Sequence, residues 1–180
     1  MRRWIVPTIA FALLMVAPAG WGDDFKREPA GREAKDKLEG KAPPGLVVAS
    51  WVNAPDKEGK LEDLKGKVVL LDFWGTWCGP CVAAMPHLKE LHKKYKDQGL
   101  VIIGVHTTNG GEKMAEFVKK ESIPWAVALD VDDKTVKAFA VDSYPDYYLI
   151  DRSGKLRVAD LANDEVDRVV EVLLKEPASK

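Results

Sequence analysis

The chain has 180 residues, 46% of them hydrophobic and 31% charged, enough for one globular domain of common size. Its 27 basic and 28 acidic residues leave a net charge of −1. No basic excess argues for nucleic acid or for an anionic membrane surface, and no internal repeat is visible.

The first nineteen residues read as a signal peptide. Arg2 and Arg3 precede the apolar run Trp4 to Val16, and "APAG" supplies small residues suited to cleavage. The run is shorter than the roughly 20 residues a spanning helix needs. An uncleaved anchor is the alternative, and no cysteine is placed there for lipid attachment. Export puts the protein in an extracytoplasmic, periplasm-like compartment, where disulfides form. Residues 20–44 are dense in charge and read as a solvated linker with a short helical turn near Ala34 to Leu38. The folded domain is expected over 45–176.

"KVVLLDFW" (Lys67 to Trp74) is a short apolar run suited to a strand buried on both faces. After the short loop Gly75 to Trp77, a helix is predicted from about Gly79, ending before Gly99. Its apolar stripe is Val82, Met85, Leu88, Leu91 and Tyr95. Pro80 suits the first turn, and Pro86 should kink the helix. "LVIIGV" (Leu100 to Val105) completes a βαβ unit with parallel strands. A helix over Glu112 to Glu121, a strand over Trp125 to Leu129 and a short helix over Asp133 to Ala140 come next. "DYYLI" and "KLRVA" around "DRSG" predict an antiparallel hairpin, and Asn163 to Glu176 a closing amphipathic helix. The fold class is α/β: a central mixed sheet with helices on both faces.

The two cysteines of the chain, Cys78 and Cys81, stand in "FWGTWCGPC". Cys78 falls where a strand hands over to a helix. Unpaired N–H groups and the helix dipole there favour a thiolate over a thiol. With a second sulfur at C-x-x-C spacing, the first is a nucleophile towards disulfides. Cys78 is expected to attack a partner disulfide; Cys81, one turn further in and less exposed, resolves the mixed disulfide. A structural staple would normally join distant segments, and this loop is too small to remove much chain entropy. Zinc held with His87 and His92 is disfavoured, because the gap between cysteine and histidine is far below the usual spacing. Asp72 interrupts an apolar strand six residues before Cys78. A carboxylate buried there has a raised pKa and can act as proton acceptor or relay for Cys81. The competing reading has Asp72 facing solvent or capping a loop. The sequence permits either isomer before Pro145, with trans the default.

The blocks "GKVVLLDFWGTWCGPC", "MPHLKELHKKYKDQGLVIIGV" and "YPDYYLIDRSGKL" resemble the thioredoxin superfamily, and most closely its TlpA/ResA-like extracytoplasmic thiol-disulfide oxidoreductases. The resemblance implies a thioredoxin-like fold, with Cys78 attacking, Cys81 resolving and Pro145 as the cis-proline facing the pair. It implies that Trp77, Gly79, Pro80 and Tyr144 contact extended substrate, and that Asp72 is the buried aspartate. Trp74 is read as packing. Members often carry Glu three residues after the second cysteine, where this chain has Ala84, and many have Asn at position 72. "DYY" replaces the common threonine pair after the cis-proline. His106, at a strand end on the same sheet edge, is left outside the catalytic set.

The resulting expectation is a protein-disulfide reductase without metal or organic cofactor. It would act as a monomer on protein disulfides, fed by a membrane electron donor, in cytochrome maturation or disulfide repair. The "GP" between the cysteines resembles reducing thioredoxins. A peroxiredoxin-like peroxidase is the alternative, but Gly75 stands where its T-x-x-C threonine should be. A non-catalytic binding module or chaperone on the same fold is the third reading.

Overall fold

The computed structural model describes residues 24–54 and 60–177. The expected signal peptide, residues 1–19, lies outside them. Among the described residues no helix is long and apolar enough to cross a membrane.

Six strands form one mixed sheet: β1 (Val48–Val52), β2 (Val68–Trp74), β3 (Leu100–His106), β4 (Ala126–Asp130), β5 (Asp146–Ile150) and β6 (Leu156–Leu161), in the order β1-β4-β3-β2-β5-β6. β2, β3 and β4 run parallel; β1, β5 and β6 add antiparallel pairs outside them. The central strand β2 is buried at every residue. That is why its sequence is a continuous apolar run rather than an alternation.

Alternation still assigns its side chains to faces. Val68, Leu70 and Trp74 pack beneath α2 (Gly79–Tyr95), α3 (Met114–Lys120) and α5 (Val166–Lys175). Val69, Leu71 and Phe73 pack on the opposite face with Val136 and Phe139 from and beside α4 (Lys134–Ala138). The expected βαβ unit, the hairpin and the helices on both faces are all present. On α2 the buried stripe is Cys81, Met85, Leu88, Leu91 and Tyr95, with Cys81 in the place expected for Val82. The helix is continuous through Pro86.

Two features depart from the sequence reading. The first is β1, an edge strand not expected from "VASWV", whose side chains are half-buried or exposed. The second concerns residues 20–44. From residue 24 onwards this stretch is part of the folded unit rather than a solvated linker, so the domain does not begin at 45. Phe25 is buried in the main core, and Lys35, on α1 (Arg32–Asp36), is 0% exposed. Arg27 bridges to Leu161 at the end of β6 and forms a two-pronged ion pair with Glu39. The charges pair with one another and with the sheet, which is what burial of charge requires.

Candidate active site

Cys78 and Cys81 form a disulfide, with an S–S distance of 2.07 Å. Cys78 is the N-cap of α2, Pro80 occupies its first turn, and the Cys81 backbone N–H donates to Cys78 Sγ at 3.2 Å. A sulfur thus takes the capping place that a serine or aspartate oxygen usually fills. The helix end directs N–H groups and partial positive charge at that sulfur. The expected contrast in exposure is small: the residues are 5% and 3% exposed, and both are buried. Access comes from their neighbours, since Trp77, Gly79 and Pro80 are exposed.

The second wall comes from the neighbouring strand of the sheet. Because β2 and β5 are antiparallel, the end of β2 meets the start of β5, with Phe73 opposite Asp146. Pro145, one residue before β5, is therefore delivered to the end of the sheet where Cys78 follows β2. The Tyr144–Pro145 bond is cis. The Trp77 and Tyr144 rings meet edge to face, with centroids 5.5 Å apart. This contact joins the cysteine loop to the proline loop.

Asp72 is buried, as the functional reading required, and not solvent-facing. It lies between Leu70 and Trp74 on the face covered by α2, the helix that carries Cys81. Its register neighbours are Gly104 and Tyr147. Its Oδ1 has no hydrogen-bond partner among the described residues. Burial pushes its carboxyl up to about 7. Tyr147 is pushed up by burial and by the Asp72 charge.

His106 has a role that the sequence reading did not assign. It pairs in register with Trp74 and is fully buried. The Thr76 backbone N–H donates to His106 Nε2 at 2.9 Å, and Nδ1 lies 2.6 Å from the Thr107 carbonyl. An amide N–H can only donate and a carbonyl can only accept. His106 is therefore neutral, with its proton on Nδ1. Burial holds its pKa below the usual value. It fastens the Gly75–Trp77 loop from below, while the Asn109 carbonyl accepts from Trp77 Nε1 at 3.0 Å. The signal was present in the sequence: a parallel βαβ unit places the ends of both strands side by side.

The residues weighed for zinc are engaged elsewhere. His87 Nε2 lies 2.8 Å from Asp167 on α5, and the His92 ring packs against Trp125. Among the described residues, the group spaced to hold a cation is Asp142, Asp146 and Asp160. Lys35 forms ion pairs with all three.

The AhpC/TSA family matches residues 40–159. The chain is 37% identical over 145 residues to the thiol-disulfide oxidoreductase ResA of Bacillus thuringiensis subsp. konkukian (strain 97-27), covering 78% of this chain and 80% of that protein. The crystal structure of a thioredoxin-like superfamily protein superposes with a TM-score of 0.67 at 25% identity, covering 77% of this chain and 99% of the other. That of a thiol-disulfide isomerase from Corynebacterium glutamicum gives 0.64 at 25% identity, over 76% and 98%. The mixed sheet, the helices on both faces and these relatives agree: the chain belongs to the AhpC/TSA family of thioredoxin-like proteins and is a ResA-like thiol-disulfide oxidoreductase.

Proposed function

We propose that Cys78 and Cys81 are the redox couple and that the protein reduces protein disulfides outside the cytoplasm. The observation that carries this reading is the Cys78–Cys81 disulfide at the N-terminus of α2, with exposed Trp77 beside it and Tyr144 leading into the cis-proline.

In the reduced protein, the Cys78 thiolate attacks one sulfur of a substrate disulfide. A mixed disulfide forms and one substrate thiolate leaves. Cys81 then passes its proton to the Asp72 carboxylate, and its sulfur attacks Cys78 Sγ. The mixed disulfide breaks, the second substrate thiolate leaves, and the Cys78–Cys81 disulfide forms. Two electrons have passed to the substrate. A carboxyl lifted to about 7 by burial is matched to proton transfer near neutral pH. Tyr144 and Pro145, with Trp77, Gly79 and Pro80, hold the substrate as an extended strand. A membrane dithiol donor returns the electrons. The Gly79–Pro80 pair, which resembles that of reducing thioredoxins, supports the direction. The charged start and apolar run of residues 1–19 support export, with cytochrome maturation or disulfide repair as the process served.

Equilibration of the couple with defined thiol buffers tests the direction. A potential of roughly −250 mV or lower supports a reductase, and one near about −120 mV identifies an oxidant. Cys81→Ser, which lacks the resolving sulfur, should accumulate mixed disulfides on Cys78. If it accumulates none from reduced protein and a disulfide substrate, the assignment fails.

A further inference from the structure

The folded N-terminal segment carries a buried cation to the proline loop. Lys35 is 0% exposed, yet it comes from a five-residue helix in a densely charged part of the chain. Its ammonium lies 2.7 Å from Asp142 Oδ1 and 3.7 Å from Asp146 Oδ2, and it also hydrogen-bonds Asp160 on β6. Asp142 stands three residues before Pro145, and Asp146 directly follows it. One ammonium thus holds both ends of the segment Asp142–Ser143–Tyr144–Pro145–Asp146.

The mount of that ammonium is itself fixed. Arg32 Nη1 donates to the Ala159 carbonyl at 2.8 Å, and the Ala159 N–H donates to Glu39 Oε1 at 2.9 Å. Glu39 is also paired with Arg27. Gly31, the N-cap of α1, has φ +63°, and a Cβ there would lie 2.5 Å from Asp142 Oδ2. The backbone at Gly31 therefore approaches the same carboxylate that Lys35 holds, a closeness only glycine allows. From the other side, the Tyr148 hydroxyl donates to the Phe139 carbonyl at 2.8 Å and lies 3.3 Å from Asp146 Oδ2.

A buried lysine among carboxylates is a weak device for stability, because desolvation offsets most of the attraction. Well-packed apolar residues often do as well. What a directional ion pair adds is a defined position for the groups it holds. We propose that Lys35 is a positioning residue for substrate binding: it clamps both ends of the cis-proline segment, fixing Tyr144 and Pro145 for an extended protein substrate. This rests on the reading above that the segment contacts substrate. The clamp acts on substrate binding and leaves the sulfur chemistry alone, since Lys35 touches the segment and not the cysteines.

The test uses the full chain, with insulin as the protein disulfide and 5,5′-dithiobis(2-nitrobenzoate) as a small one. Lys35→Met should raise KM for insulin about tenfold with kcat within about twofold. The rate with the small disulfide and the reduction potential should match wild type. Asp142→Asn, at the exposed end of the clamp, should raise KM about threefold. The clamp is refuted if KM for insulin is unchanged in folded Lys35→Met, or if both substrates slow together. Should Lys35→Met not fold, an unchanged KM in Asp142→Asn refutes it. Tyr144→Ala separates the two readings. If it raises KM while the clamp variants do not, only the clamp falls. If it too leaves KM unchanged, the segment does not contact substrate and both fall.

Discussion

The Trp77 ring stands almost perpendicular to that of Tyr144, at 84°, and is the one point where the cysteine loop and the proline loop touch through aromatic rings among the described residues. Trp77 is 51% exposed, so little of its area supports the core. Trp77→Ala should change stability by less than about 1 kcal/mol. It should lower kcat/KM for a protein disulfide by about 10-fold, as an exposed aromatic anchor does when truncated. Urea denaturation beside insulin reduction checks both parts.

Asp72 gives stability a definite pH slope. Its folded-state pKa, about 7, lies above the unfolded value near 3.8, so the native protein holds this proton more tightly. The favourable contribution is full below about pH 4 and is lost as pH rises through about 7. Asp72→Asn keeps the shape without the charge. It should match wild type at pH 4 and exceed it by up to about 4 kcal/mol at pH 9, measured by urea denaturation of the oxidised protein. The same variant should slow the second exchange step at pH 7 by on the order of 10²-fold, because the proton acceptor is gone.

His106 runs in the opposite sense. Burial lowers its folded-state pKa, so its contribution is present above about 6.5 and is lost as pH falls below that value. Protonation removes the acceptor for the Thr76 N–H. His106→Leu leaves that N–H unpaired and should cost about 1–3 kcal/mol at pH 7. The gap to wild type should narrow at pH 5, as seen in denaturation midpoints at the two pH values.

Gly104 sits beside Asp72 in the sheet, and a Cβ there would come within 2.9 Å of Trp74 Nε1 and 3.4 Å of Val127 Cγ2. Trp74 is 1% exposed and packed on His106 and Phe117, so it has little room to yield. Gly104→Ala should cost about 1–3 kcal/mol through overpacking. It should also displace the indole that supports His106, visible as a change in near-ultraviolet circular dichroism.

What the sequence made legible was what local period controls. β2 and α2 follow from an apolar run and a three-four stripe, and the hairpin follows from two strand runs around "DRSG". Cys78 at a helix start, Asp72 within a strand and Pro145 before one were readable for the same reason. β1 was not, because an edge strand with half-exposed side chains carries little pattern. Lys35 looked like one more solvated charge. Its partners lie 107 and 125 residues away, and nothing in the local charge pattern says that a lysine will meet them in the interior. His106 falls between these cases, since its neighbour Trp74 was implied by the parallel unit while its bond to Thr76 needed the loop's path.

The N-terminal segment also meets β6 along its free side. The Glu28 N–H donates to the Asp160 carbonyl and the Ala162 N–H to the Lys26 carbonyl, both at 3.0 Å; the Gly40 N–H donates to the Leu156 carbonyl and the Leu156 N–H to the Lys41 carbonyl, both at 2.8 Å. β6 is the last strand of the sheet, and a bare last strand offers its unpaired amides to any passing chain. At the other end, β1 is five residues long and interrupted by a register shift, a poor template for strand addition. The stretch that reads in the sequence as a solvated linker therefore covers the backbone of the last strand. A chain trimmed back to residue 45 would lose that cover and expose an edge on which copies could pair.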